Sequence, residues 1–251
     1  DELLSQAHLA GNLMDRMDAL EALDYAQFTD ELELYDLFKT AKTRLEKRFI
    51  ISKFRGVTEG IPLWTHDALL DRDHLVRRQA IWALDTIQDE YREDIESMLS
   101  DESYVNIALA LDALCKAFPD EKQGFIDQVE VVDNSTVKIH ALKHLTEEGE
   151  RAVEELADMC SPAFEFRTRI LALSEFEAMD NLPESVVFHA MDAAVHFNSR
   201  LARQGQSLLE KNWDESMQGL CDRHLKKMDL VPWQVSKWER FLTKMNTITE
   251  D

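Results

Sequence analysis

The sequence predicts an all-α protein built as an α-solenoid, and three observations predict it. Glycine and proline are scarce, 7 and 5 of 251 residues, so the turns that punctuate a β-sandwich or barrel are missing. Val76, Ala80, Ala83, Leu84 and Ile87 fall at i, i+4, i+7, i+8 and i+11, one face of a helix. The same pattern returns along the chain about every 31 residues, the length of two helices with short connections rather than of one helix and its turn.

The repeats follow in order. The first block is Asp15 to Leu23, with Arg16, Ala19, Ala22 and Leu23 in the columns of Arg77, Ala80, Ala83 and Leu84. The second carries Lys47 and Ile50 in register and ends at Phe54; the third ends at Leu84. Later blocks hold Ala110, Ala113 and Leu114, then Lys138, Ala141 and Leu145, then Arg169, Ala172 and Phe176, and finally Gly205, Leu208 and Leu209. The last large apolar residues, 23, 54, 84, 114, 145, 176 and 209, are separated by 31, 30, 30, 31, 31 and 33. A small residue shortly before the large one lets a neighbouring helix cross closely.

The segment before each block supplies an outer helix: residues 62–70 before a turn at Asp71 and Asp73, 92–99 before Asp101, and 152–160 before Ser161 and Pro162. Asp, Ser and Asn at these junctions cap the free amides of the next helix. Pro62, Pro162 and Pro183 are expected in first helical turns, which tolerate a missing amide hydrogen. Beyond the repeats, at about residues 8–210, Trp213, Trp233 and Trp238 with Leu230, Val231, Phe241 and Leu242 predict a terminal amphipathic helix or helix pair at about 211–251 that caps the last repeat. The expected architecture is one repeat domain over 1–251, HEAT- or ARM-like, with about seven repeats, each burying its apolar stripe by stacking on the next.

Composition bounds the partners. With 28 basic against 49 acidic residues the net charge is −21, which disfavours nucleic acid as a partner because phosphate binding needs clustered Lys and Arg. A helical-repeat DNA glycosylase, which requires a basic groove, is disfavoured for the same reason. No apolar run reaches the 18 or so residues of a membrane span, and the opening lacks a charged-then-apolar leader. The expectation is a soluble chain without a membrane partner, in the cytoplasm or the periplasm. It opens on Asp1 rather than methionine, which suggests a cleaved product or an excised fragment. Cys115, Cys160 and Cys221, 45 and 61 residues apart, fit neither a disulfide framework nor a close-spaced zinc site, and are expected to be buried free thiols.

Motifs for chemistry are mostly absent. His140 and His144 form H-x-x-x-H on one expected helix, but Ala141 stands where a metalloprotease motif has glutamate, and no third ligand is fixed. There is no G-x-S-x-G, and the dispersed glycines form neither a dinucleotide nor a P-loop fingerprint, so no cofactor is expected in this chain. Asp89–Glu90, Glu93–Asp94 and Asp101–Glu102 look like solvated faces and turns. No catalytic or metal-binding residue is therefore assigned.

One charge feature stands out. Residues 1–36 hold ten acids and one Arg, whereas 37–55 hold Lys39, Lys42, Arg44, Lys47, Arg48, Lys53 and Arg55 against Glu46 alone. Such a block is either a groove for a carboxylate or an acidic partner, or one helix's solvent face offset by the acidic helix before it. Arg44, Lys47 and Arg48 are the candidate substrate- or partner-binding residues.

The stretch Gln6-Ala7-His8 through Leu13-Met14-Asp15-Arg16-Met17-Asp18-Ala19-Leu20-Glu21-Ala22-Leu23 resembles the opening of the C-terminal helical domain of M1-family zinc aminopeptidases. The run Ser100 to Leu114 is similar to a later repeat of that domain. The resemblance implies a non-catalytic portion of a metallopeptidase whose zinc site, H-E-x-x-H with a distant glutamate, lies in a preceding domain absent here. It also implies a helical arch that packs on that catalytic domain, restricts peptide access, and acts on peptide substrates only indirectly. Arg44, Lys47 and Arg48 are chosen by charge as the side chains nearest a substrate's carboxyl end. The competing expectation is a free-standing HEAT-repeat scaffold that binds another protein on its concave face.

Overall fold

The structure is a computed structural model that describes residues 2–24, 31–54, 64–84, 87–146, 149–179 and 181–249. Among these residues every regular element is helical, and the helices come in consecutive pairs. These are α1 (Glu2–Leu9) with α2 (Leu13–Ala22), α3 (Glu31–Thr40) with α4 (Arg44–Phe54), α5 (Thr65–Leu69) with α6 (His74–Ala83), and α7 (Arg92–Ser97) with α8 (Tyr104–Ala117). The order continues with α9 (Lys122–Val129) and α10 (Ser135–Leu145), α11 (Glu150–Asp158) and α12 (Phe166–Glu175), α13 (Glu184–Ala194) and α14 (Ser199–Lys211), and α15 (Glu215–Leu225) and α16 (Pro232–Thr249). The second helices start at 13, 44, 74, 104, 135, 166, 199 and 232. The expected C-terminal cap is thus another pair, set at the same interval as those before it.

Local chemistry explains the starts. Asn12, Asp73, Asn198 and Asp214 each accept a hydrogen bond from an amide in the first turn of α2, α6, α14 and α15, and Asn134 does so for α10. At α4 Thr43 accepts from the Glu46 amide while its hydroxyl donates to the Glu46 carboxylate, a variant of the reciprocal capping box. The prolines do not all sit where the sequence placed them. Pro162 lies in the connection between α11 and α12, and Pro183 is the N-cap of α13 with an extended ψ of 143°, one step before the helix. Each still precedes a helix, because a residue without an amide hydrogen is tolerated only before intrahelical bonding begins. Pro62 lies outside the described residues.

The chain divides into two compact units, Asp1–Val137 and Lys138–Asp251, with the boundary inside α10. In the first, α4 packs on α2 and α6, and α6 on α8, while α1 meets α3 and α5 meets α7. Its core includes Leu20, Phe38, Ile50, Trp64, Val76, Ile95 and Leu111, all essentially inaccessible. In the second, α12 and α13 pack on α14, and α11 and α15 flank α13. Phe176, Val187, Met191 and Leu208 fill its centre. Trp238 and Phe241 of α16 join that core, with Trp213 edge-on to Phe241 at 5.4 Å, so two of the three terminal tryptophans close the apolar end of α14 as their amphipathic spacing predicts. Trp233 is 47% exposed.

The small-residue column has a packing role. Ala19, Ala80, Ala110, Ala172 and Gly205 are buried, and at Gly205 a Cβ would sit only 2.5 Å from the Ala190 carbonyl oxygen and 2.7 Å from the Ala194 amide nitrogen. Helix α14 therefore lies on the backbone of α13 at a separation that admits only hydrogen at this position. Cys115, Cys160 and Cys221 are buried and unbridged, and burial pushes their thiols up to about 11, 12 and 12.

Candidate functional site

Helix α4 carries all three candidate residues, and the structure separates their roles. Lys47 is bonded to the Asp71 carboxylate, which is itself nearly buried. Arg44 is exposed, with its guanidinium 3.7 Å from Asp73. Arg48 is partly buried, and its Nε is shielded from solvent without a hydrogen-bond partner. Elsewhere in the basic block, Lys39 bonds Asp67 at 2.8 Å. The compensating carboxylates, Asp67, Asp71 and Asp73, come from the following helix pair. The acidic stretch before α4, which the sequence suggested as the neutralising partner, supplies none of these three.

Lys47 belongs to a column that sequence reading marked as a register position but did not interpret. Arg16, Lys47, Arg77, Lys138 and Arg169 lie in one repeat column, which the fourth repeat interrupts with Ile107, and each of the five reaches a carboxylate further along the chain. Arg16 is paired with Glu46, both almost fully buried. Arg77 binds Asp101 in a fork at 2.6 and 2.9 Å and also donates to the Asp71 carbonyl at 2.7 Å. Arg169 binds Asp192 at 2.6 Å and the Cys160 carbonyl at 2.9 Å, and Lys138 lies 3.6 Å from Glu155 on the surface. Burial raises the Glu46 and Asp101 carboxyls, but hydrogen bonds from Arg16 and Thr43 to one and from Arg77, Ser103 and Asn106 to the other outweigh it, and both end below the ordinary range. These pairs tie successive helix pairs together. The partners lie 30, 24 and 23 residues downstream of Arg16, Arg77 and Arg169, and a search at an interval slightly shorter than the repeat is the signal that would have found two of them.

The second helices of the first unit leave apolar side chains exposed near their N-termini. Met14, Leu45, Leu75 and Val105 occupy the second position of α2, α4, α6 and α8, and Met14, Leu45 and Val105 are 66%, 51% and 41% exposed. Trp82 and Tyr104 are each half exposed. A cavity of about 470 Å³ opens between α6 and α8, floored by Ile81, Leu84, Leu109 and Ala113 with Asp112 and Lys116 on its wall. In the second unit a cavity of about 500 Å³ lies between α11 and α13, lined by Val153, Ala157 and Pro183 with Glu150 and Glu154.

No family model matches the chain, and no curated protein matches it. The site therefore rests on its own geometry. His140 and His144 stand one turn apart on α10, both partly buried. Among the described residues no group of three or more His, Cys, Asp or Glu side chains is placed to hold a metal ion, and no helix is long and apolar enough to cross a membrane.

Proposed function

We propose that the chain is a non-catalytic helical-repeat module, an α-solenoid of HEAT-like helix pairs, which binds a protein partner on the exposed face of α2, α4, α6 and α8. One observation carries the reading. Met14, Leu45, Leu75 and Val105 recur at intervals of 31, 30 and 30 residues at the same helical position, yet Met14, Leu45 and Val105 are exposed and Leu75 is only partly buried. Contiguous exposed apolar surface on a soluble domain marks an interaction site. The paired column beside it, Arg16–Glu46, Lys47–Asp71 and Arg77–Asp101, supports a stacked-repeat reading because each bond spans neighbouring helix pairs, as nearest-neighbour coupling in a repeat array requires.

The test is capture of a partner from the source cell by the intact chain and by the Leu45→Glu/Val105→Glu variant. The reading expects an identified protein that is bound by the first and lost with the second, and equal capture by both refutes it. Hydrolysis of an aminoacyl-anilide by the purified chain, abolished by chelation, would overturn the non-catalytic assignment.

One form of partner is the catalytic domain of an M1-type zinc aminopeptidase on the same polypeptide, with zinc held there and none here. The observation favouring it is Arg48, a partly buried cation with no acidic partner among the described residues, as a group facing a substrate's carboxyl end would be. Reading the full parent frame decides it: an H-E-x-x-H upstream of Asp1 supports this form, and its absence sinks it.

A further inference from the structure

The cations of α4 and α6 sort into two adjacent columns with opposite fates. Lys47 and Arg77 each hold a carboxylate that is almost inaccessible to solvent. The next residues, Arg48 and Arg78, hold none among the described residues. Arg78 donates at 3.3 Å to the Asn106 side-chain oxygen and at 3.3 Å to the Ser103 hydroxyl, both neutral. The positions equivalent to these two acceptors, 28 and 25 residues beyond Arg48, are Val76 and Asp73. Val76 is buried and offers methyl groups, which explains why the Arg48 Nε is left without an acceptor. Asp73 is taken by the Leu75 amide of its own helix and approached by Arg44. Arg44 and Arg48 lie one turn apart on α4, and Arg78 lies on α6, which packs against it; Arg44 is ion-paired with Asp73 at 3.7 Å, and among the described residues no carboxylate pairs with Arg48 or Arg78. In a chain of net charge −21, with acids enough to pair every base, this local excess is a recognition feature.

The apolar part of the same face lies one helix further on. The cavity between α6 and α8 is of the size that accepts a bulky side chain, and Trp82 and Tyr104 stand exposed on those two helices. Ile81, which lines the cavity, is three residues from Arg78 on the same helix, and Arg48 on α4 is one helix spacing further, about 10 Å, so a span of about four residues of extended chain reaches from Arg48 to the cavity. Charges at one end of the face narrow the register. Asp18 and Glu21 on α2, both exposed, repel an acidic ligand on the α2 side.

We propose that this face takes an acidic segment of a partner protein, its carboxylates on Arg48 and Arg78 and one large apolar side chain, about four residues away, in the cavity between α6 and α8. The proposal rests on the interaction-module reading above and names the chemistry of the partner. Arginine forks bind carboxylates in bidentate fashion, and a single buried aromatic anchor beside a charged contact is the usual form of an interface hot spot.

The experiment uses a fluorescein-labelled peptide of about 12 residues with a Glu-Glu pair and one Trp four residues further on, titrated with the intact chain and followed by anisotropy. Binding should weaken at least about tenfold for Arg48→Gln/Arg78→Gln, for Ala113→Trp, which fills the cavity, and for peptides with Lys-Lys or Ala in place of Glu-Glu or Trp. It should also weaken from 0.15 to 0.5 M salt, where screening falls to a few ångströms. Circular dichroism verifies that each variant is folded, and Trp82→Ala on the surface serves if Ala113→Trp is not. The proposal is overturned if the Lys-Lys peptide binds equally well, if the arginine variants bind the acidic peptide unchanged, or if a single-stranded oligonucleotide binds the arginines and the peptide does not. Failure here with a captured partner still lost in Leu45→Glu/Val105→Glu refutes the acidic ligand and keeps the interaction module; failure of both refutes both.

Discussion

Replacing Gly205 with alanine separates two physical effects that point in opposite directions. Gly205 lies inside α14, and in an isolated helix alanine would stabilise it by about 1 kcal/mol. In the folded chain the added methyl would lie 2.5 Å from the Ala190 carbonyl oxygen, 2.7 Å from the Ala194 amide nitrogen and 2.8 Å from the Ala193 Cβ. Ordinary contact begins near 3.4 Å, so α14 must move away from α13 by nearly 1 Å, and two of the three obstacles are backbone that cannot rotate aside. A gap of that size forfeits a quarter to a half of each dispersion contact along the interface, here those of Leu201, Leu208 and Leu209, all fully buried. Overpacking and the opened gap together cost about 3 kcal/mol, leaving about 2 kcal/mol net after the helix-propensity gain. For a chain of this size that is a fall in Tm of about 4 to 8 °C.

The assay is urea and thermal unfolding followed at 222 nm, with Gly124→Ala as control. Gly124 lies in α9 with nothing within 4 Å of its added Cβ, so the control should gain up to about 1 kcal/mol. If Gly205→Ala is as stable as the parent or more so, the close approach of α13 and α14 is not real and the reasoning fails.

Other perturbations follow from the buried charges and thiols. Glu46→Ala strands the almost fully buried Arg16 and should cost about 3 to 5 kcal/mol by urea unfolding, whereas Arg16→Met/Glu46→Leu should recover most of that loss; a double variant no better than the single one would contradict it. His189 and His196 are held below their ordinary value of 6.5 by burial first and then by Arg169, against the opposing pull of Asp192 on both. Asp158 also opposes at His189, and Lys237 adds to the lowering at His196. Both rings are then neutral when folded and protonate more readily when unfolded, so stability present above pH 6.5 is lost as pH falls from there towards the folded values. A fall in Tm between pH 7.5 and 5.5 that persists unchanged in His189→Gln/His196→Gln would exclude this origin. Glu46 and Asp101, lowered in the folded state, act at a more acid range: their contribution is intact above the ordinary carboxylate pKa and disappears as pH drops through the folded values. With Ellman's reagent at pH 8 the native chain should release almost no colour and the denatured chain three thiols, because burial holds Cys115, Cys160 and Cys221 at about 11 or 12; rapid reaction of any native thiol would show that its site opens.

Much of the helix layout was legible in the residues, because it follows from local rules. The anchor Val76 to Leu84 became α6, Asp73 became its cap, and the spacing from block to block reproduced the spacing of helix starts. The residues 62–70 expected as an outer helix shortened to Thr65–Leu69 among those described, and Phe54, the end of the second block, has a side chain outside the described residues. The candidate site was legible only as a charge excess. Composition identified α4 as basic, but Lys47 and Arg48 look alike in sequence, and their difference appears only in the fold, where Lys47 meets Asp71 and the Arg48 Nε meets no acceptor.

The sequence by itself determined that this protein is helical, where its helix pairs fall, and that its one basic block lies in residues 37–55, since helix periodicity, capping and local charge depend on neighbours a few residues apart. Only the tertiary structure decided which cations are occupied by carboxylates 23 to 30 residues away, that Arg48 and Arg78 have none among the described residues, and that the apolar residues at 14, 45 and 105 are exposed while a cavity opens between α6 and α8. Those properties belong to surfaces formed when helices distant in sequence pack together, and burial and pairing across such a surface have no counterpart in any single helix.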